Sequence, residues 1–323
     1  MSRAITSILT LILLSIIVFL IIHITPGDPA RMMLPMESTK EDVLEMRKAL
    51  GLDQPLVVQY LIWLKNAIRL DFGSSIRAKY SASKIFLERL PATLELSFAS
   101  IVLSVLFAIP IGVFAAIKRS SVWDFAVSFV SLFSLSTPRF WLGILFIIFF
   151  SLWLGWLPPY GRGPGLFYGI SQLFIGDYMT FYSALKHLVL PSATLGTWFF
   201  TIFLKYTRAS VLEELGKLYV KTARQKGIGE LRVLLVHVIR NALIPIVTVI
   251  GLQIGSVLGG AVIIEIVFSW PGVGQLLLQA LFVRDYPLIQ ASLFMVGAMI
   301  VVIFILLDIL YVLIDPRIIY KTT

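Results

Sequence analysis

Apolar residues dominate this chain in long runs, and polar residues are gathered into a few stretches between them. The first run, Ala4 to Ile24, carries no acid, lysine or arginine. About 20 apolar residues suffice to cross a bilayer core. No small-residue cleavage site follows the run; Pro26-Gly27-Asp28-Pro29 does, so it reads as a retained span and not a signal peptide. Further runs follow at about 92–117, 124–156, 187–206, 243–267 and 287–314. The pattern predicts an all-α integral membrane protein with six transmembrane helices: a first span over 1–24, an extracytoplasmic region over 25–90, and a transmembrane domain over 91–315.

Between the runs the polar pattern is itself structured. In 25–89, Ser38-Thr39-Lys40-Glu41 reads as a capping box opening a helix that ends near Gly51. A second helical pattern spans Leu56 to Leu70, with Leu61, Leu64 and Ile68 on one face and Asp71-Phe72-Gly73 as its stop. Leu90-Pro91 is placed to open the second span, since proline suits a first helical turn. The 122–156 run exceeds one bilayer thickness and holds Pro138-Arg139, where it can break. Leu157 to Lys186, rich in Gly, Pro and Tyr, reads as an outer loop, as does 268–286 with Trp270-Pro271-Gly272. The fifth span is studded with Gly251, Gly255, Gly259 and Gly260 at intervals that let helices approach closely.

One charged stretch stands apart. Leu212 to Pro245 carries Lys217, Lys221, Arg224, Lys226, Arg232 and Arg240 against Glu213, Glu214 and Glu230. Apolar residues recur through it at helical spacing, predicting two short amphipathic helices separated by Gly227 and Gly229. Such a pair between spans is either a solvated loop or a platform at the bilayer surface.

Composition sharpens this picture. Of 323 residues 58% are hydrophobic and 14% charged, more apolar surface than a soluble domain of this size can hide. The net charge of +9 points to cytoplasmic loops and anionic lipid, and away from nucleic acid. Arg3, Lys118, Arg119, the charged stretch, Arg317 and Lys321 fall on the side of the termini, which puts both termini in the cytoplasm. There is no cysteine, no nucleotide-binding P-loop, no HExxH and no GxSxG, and His23, His187 and His237 lie far apart. No catalytic or metal-ligating set follows. Asp308, inside the last span, reads either as a functional intramembrane acid or as a structural partner for Arg317 or a backbone group; Glu265, near the outer end of span five, is similarly open.

Several short segments then carry a resemblance. Thr222-Ala223-Arg224-Gln225-Lys226-Gly227, with His237, Arg240-Asn241-Ala242 and Pro245, resembles the EAA loop of type I permeases of ATP-binding-cassette importers, in the form found in the dipeptide, oligopeptide and nickel transport family. Pro26-Gly27-Asp28-Pro29, Leu50-Gly51-Leu52-Asp53-Gln54-Pro55, Leu90-Pro91-Ala92-Thr93-Leu94-Glu95-Leu96, Trp270-Pro271-Gly272-Val273-Gly274, Arg284-Asp285-Tyr286-Pro287 and Asp315-Pro316-Arg317 extend it over nearly the whole chain. Lys221 and Thr222 depart from the general loop, standing where its Glu and first Ala would be.

The resemblance implies the type I permease fold, with 208–241 as a cytoplasmic coupling loop. It implies half of a translocation pathway for peptides or a related small solute, in a bacterial or archaeal inner membrane. A second related permease, two ATPase subunits that bind ATP and Mg, and an extracytoplasmic solute-binding protein are the expected partners. This chain itself would hold no cofactor. Tyr219, Thr222, Ala223, Arg224, Lys226 and Gly227 would couple to the ATPase, with Ala223 small enough for close approach to it. Gly255, Ser256 and Gly259 are candidates for the pathway, although helix packing explains them equally well. Asp28, Trp270, Pro271, Arg284 and Asp285 would face the binding protein. An ATP-independent secondary transporter or channel is the alternative reading.

Overall fold

A computed structural model describes residues 2–24, 30–31, 34, 37–49 and 51–314. Asp28 and the rest of Thr25–Pro29, Asp315-Pro316-Arg317 and the side chain of Asp308 lie outside the described residues. Those residues are helical throughout, apart from loops and one isolated bridge between Ser74 and Ser81. The chain divides into two compact units, Met1–Pro91 with Gly272–Thr323, and Ala92–Pro271.

The first unit contains α1 (Ser2–Ile24), α2 (Lys40–Ala49) and α3 (Leu56–Ile68), and later α11 (Val273–Phe282) and α12 (Tyr286–Ile314). The cap of α2 is built one residue later than the sequence pattern places it. Thr39 N–H donates to Asp42 Oδ2 at 2.7 Å, and Asp42 N–H donates to Thr39 Oγ1 at 3.2 Å. At its other end Leu52 N–H reaches the Arg47 carbonyl and Gly51 N–H reaches that of Lys48, with Gly51 at φ +67°; this is a Schellman stop. The packed face of α3 is also displaced from the expected one. Leu61 and Ile68 are exposed, while Trp63 and Ala67 pack inward with Phe72, Leu288 and Phe294. Polarity explains the shift. The Trp63 indole N–H needs a partner when covered, and donates to Gln290 Oε1 at 2.8 Å on α12.

The second unit is a helix bundle. The long helix α4 (Ala82–Ile117) enters it at Ala92, followed by α5 (Val122–Ser136), α6 (Arg139–Phe146, continued as a π-helix Ile147–Trp153), α7 (Leu166–Leu173), α8 (Tyr178–Gly216), α9 (Leu218–Gln225) and α10 (Arg240–Val267). Its core sets Leu195, Phe199 and Phe203 of α8 against Val257, Ala261 and Ile264 of α10. Small residues let α4 and α8 touch. A Cβ at Gly112 would collide with Thr207, and one at Gly196 with Ser104, whose hydroxyl donates to the Gly196 carbonyl at 2.8 Å.

Four helices among the described residues are long and apolar enough to cross a membrane: Ala82–Ile117, Tyr178–Gly216, Glu230–Val257 and Tyr286–Leu307. A fifth is formed if α5 and α6, bent by 109° at Thr137–Pro138, count as one broken span. The apolar stretch Ile5–Ile21 of α1 falls short of the same length. The helices are also longer than the apolar runs that mark them. Pro91 lies inside α4, and α8 begins at Tyr178 and passes through Pro191, so the expected 157–186 loop is partly helical. At 1.5 Å per residue α4 and α8 measure roughly 54 and 58 Å, well beyond one hydrocarbon core.

Candidate functional site

The charged stretch folds onto the end of the second unit. The helix α8 runs on to Gly216, Lys217 turns the chain with an extended backbone, and α9 occupies Leu218–Gln225. The expected second amphipathic helix is not separate. Glu230–Arg232 passes through a π-helical segment, Val233–Ile239, directly into α10. Polar residues at 230–241 therefore form the near end of a membrane helix.

Val220 and Ala223 of α9 are buried among Val113, Ala116, Val211, Val233, Val238 and Ala242. Ala223 is 6% exposed, so the close approach its small side chain permits is to this chain's own helices, not to an outside surface. The outward face of α9 carries Leu218, Tyr219, Lys221, Thr222, Arg224 and Gln225. Leu218 is 79% exposed, a large apolar side chain standing on a polar platform. Its spacing from Val220 and Ala223 identifies it as the odd apolar residue on the wrong side of the helix, a signal the amphipathic pattern did contain.

Gly227 closes α9. It has φ +76°, its N–H reaches the Arg224 carbonyl, and Ile228 N–H reaches that of Ala223. This is a second Schellman stop, and it requires the left-handed backbone that glycine adopts without cost. Across the turn, Arg224 pairs bidentately with Glu230, with Nε 3.0 Å from Oε2. That pair holds the Glu230 carboxyl below its ordinary range.

A polar knot fixes the other end. The Tyr219 hydroxyl donates to the Glu214 carboxylate and also lies 3.1 Å from the His237 carbonyl. Asn241 Nδ2 donates to the Tyr219 oxygen at 2.9 Å and to the His237 carbonyl at 3.0 Å. Lys217 pairs with Glu214. Burial pushes the Glu214 carboxyl up, but the hydrogen bonds from Lys217 and Tyr219 outweigh it and hold the group below its ordinary value. Thus α9 is tied through Tyr219 to both α8 and α10. Arg208 of α8 in turn grips Asp124 of α5 with bonds of 2.6 and 2.8 Å. Lys221, Lys226 and Arg232 are exposed and make no ion pair among the described residues, leaving the platform basic.

The other expected residues are dispersed. In α10, Gly255 is buried, while Ser256 and Gly259 are open. Trp270 is fully buried, and its indole N–H donates to the Ala92 carbonyl at 2.8 Å. Asp285 is also buried; it accepts from Ser75 Oγ at 2.5 Å and from Leu288 N–H at the start of α12. Both residues therefore have packing roles, whereas Arg284 is exposed and Pro271 half-buried. Glu265 is buried and accepts from Thr93 Oγ1 at 2.6 Å.

In the sequence Glu95 stands out only as part of the Leu90–Leu96 segment that carries the resemblance. Its buried carboxylate receives Arg162 Nε at 2.9 Å and Nη2 at 2.5 Å, and the Leu166 N–H as well. This set clamps the 157–166 loop onto α4. The separation of Glu95 and Arg162 along the chain hides the pair from any local pattern.

Comparison with known proteins places this geometry. Residues 108–320 match the model described as binding-protein-dependent transport system inner membrane component, and residues 1–97 match the model of its N-terminal part. The di/tripeptide transport system permease protein DppB of Pseudomonas aeruginosa is 40% identical over 94% of this chain and 93% of its own length. The glutathione transport system permease protein GsiC of Escherichia coli K12 is 38% identical over 97% of this chain and 95% of its own length. The oligopeptide transport system permease protein AppB of Bacillus subtilis is 37% identical over 98% of both chains.

Proposed function

This chain belongs to the family of inner membrane components of binding-protein-dependent transport systems, and we propose that within it the chain is one of two permease subunits of an ATP-driven importer of small peptides. The observation that carries the substrate class is the end-to-end similarity to permeases named for di/tripeptides, oligopeptides and glutathione. The remaining partners are a second, related permease, two ATPase subunits and an extracytoplasmic binding protein. ATP and Mg act in the ATPases; this chain performs no chemistry.

The chain crosses the inner membrane six times with both termini in the cytoplasm. The supports are the positive-inside distribution of Lys and Arg, the four long apolar helices, the bent α5–α6 pair and the apolar run of α1. The basic platform then lies on the cytoplasmic side, where an ATPase can reach it.

The exposed face of α9 is the docking element. Leu218 offers an apolar knob, and Lys221, Lys226 and Arg232 offer charge to an acidic rim. Because Tyr219 binds α9 to α8 and to α10, movement of the docked helix is delivered to the two helices whose apolar faces form the core of the second unit. ATP binding closes the ATPase pair, and the permease passes between outward and inward packings.

Accumulation of a labelled dipeptide in vesicles holding the complete transporter tests this reading. ATP-dependent accumulation is expected. Accumulation that persists without ATP identifies an ATP-independent carrier or channel instead.

A further inference from the structure

Arg139 is a cation within a membrane helix pair, and it is served differently from Arg162 and Arg208 of the same unit. It opens α6 immediately after the break at Thr137–Pro138. Arg162 pairs with Glu95, and Arg208 with Asp124. Among the described residues Arg139 has neither an ion pair nor a hydrogen bond. Its guanidinium carbon sits 4.8 Å from the centre of the Trp198 ring on α8. A guanidinium stacked on an aromatic face keeps its N–H fork in the ring-parallel plane, free to meet a carboxylate bidentately.

Gly260 of α10 packs directly against the guanidinium. A Cβ at Gly260 would collide with Arg139 Nη1, so only glycine at that position leaves the guanidinium where it is. One turn back on α10, Ser256 is exposed, its hydroxyl bonded to Gln253, and a Cβ at Gly259 would meet nothing within 4 Å. Gln253, Ser256 and Gly260 recur at helical spacing and so share one face of α10. Gly260 lies 20 residues beyond Arg240, about 30 Å along the helix, toward the end away from the basic platform. A distance of about one hydrocarbon thickness puts Arg139 toward the outer end of the spans, where its guanidinium, without an ion pair among the described residues, can meet an anion arriving from outside.

We infer that Arg139 receives the C-terminal carboxylate of the transported peptide, at an outward-placed site formed with Trp198 and with Ser256 and Gly260 of α10. This rests on the peptide-importer reading above and adds the group of the solute that the permease itself recognises. Trp198 orients the guanidinium, Gly260 leaves room for it, and the arriving carboxylate supplies the missing counter-ion. The pair forms in the outward packing and is released when movement of α10 withdraws the Gly260 face from α6.

The test uses proteoliposomes holding the complete transporter with its binding protein, and alanyl-phenylalanine either as the free acid or as the C-terminal amide. Uptake is normalised to the amount of each peptide carried by the binding protein, so that the permease's own preference is read. The wild type is expected to prefer the acid by about tenfold, the size of one lost charge-assisted pair. Arg139→Gln brings that ratio to about one, and Arg139→Lys retains part of it. A wild-type ratio near one, or an Arg139→Gln ratio equal to that of the wild type, overturns the inference. So does an equal loss of both peptides in Arg139→Gln and Arg139→Lys, which would mark a structural role. Absence of ATP-dependent uptake of either peptide by the wild type would instead overturn the importer reading itself.

Discussion

The hydroxyl of Tyr219 donates to the carboxylate of Glu214, five residues earlier and on the other side of the break between α8 and α9. That contact ties α9 to the end of α8 across the break at Lys217. Removing the hydroxyl leaves Glu214 paired with Lys217 but breaks the link to Asn241 on α10. Tyr219→Phe is expected to cost about 1–2 kcal/mol of local anchoring. It should lower the number of peptides carried per ATP hydrolysed, with hydrolysis itself preserved. An unchanged ratio in proteoliposomes would remove Tyr219 from the coupling.

The same knot fixes a pH dependence. Glu214 is held below its ordinary value, so its contribution is complete above the unfolded glutamate range and is lost as pH falls through the lower folded value. Anchoring of α9 should therefore be constant through neutral pH and fail only below about 4.3, the ordinary glutamate value. Amide exchange in α9, corrected for the intrinsic rate, should show this acid-side loss in the wild type. Protection that falls between pH 8 and 6 would contradict the assignment.

At Gly227 the demand is conformational. Its φ is +76° and a Cβ there would meet nothing, so a substitution is strained by backbone alone. Gly227→Val should cost roughly 1–2 kcal/mol, the penalty of a left-handed residue with a side chain, and displace the Arg224–Glu230 pair. Reduced uptake with normal membrane insertion is expected; wild-type uptake would show that the turn is not needed. Ala223→Asp is a poor companion test, because Ala223 is buried and a charge there would damage folding before it reached any partner.

The clamp between Glu95 and Arg162 is asymmetric. The Glu95 side chain is fully buried, whereas that of Arg162 is 25% exposed. Arg162→Ala strands a buried carboxylate and should destabilise by about 3–5 kcal/mol. Glu95→Gln leaves a guanidinium that can turn to water and should cost less. Thermal unfolding of the two variants in detergent measures the order; the reverse order would mean that the pair is not the clamp on the 157–166 loop.

Much of this was legible in the chain, and what was hidden has identifiable causes. Apolar runs marked the membrane helices because bilayer thickness acts on composition directly. They did not mark helix ends: α4 and α8 extend past their runs, and Pro91 sits within a helix where its position suggested a start. Gly227 was readable because glycine takes a left-handed stop without strain, whereas the same stops at Leu70, Ser269 and Arg284 carry side chains and left no such mark in the sequence. Ala223 was readable as tightly packed but not as packed against what, since smallness says nothing about direction. Trp270 and Asp285 looked like surface recognition residues in a polar loop, yet each is buried by a partner distant in sequence, Ala92 and Ser75. Glu95–Arg162 and Arg139–Trp198 were invisible for the same reason.

The proposed docking of an ATPase on the outward face of α9 is open to direct measurement. The most direct test is affinity purification of the chain from its native membrane in mild detergent, as wild type and as Leu218→Glu. Leu218 is 79% exposed, so its replacement leaves folding alone. The wild type is expected to bring down both a second permease and an ATPase, and Leu218→Glu to retain the permease while losing the ATPase. Equal recovery of the ATPase with both would contradict the docking.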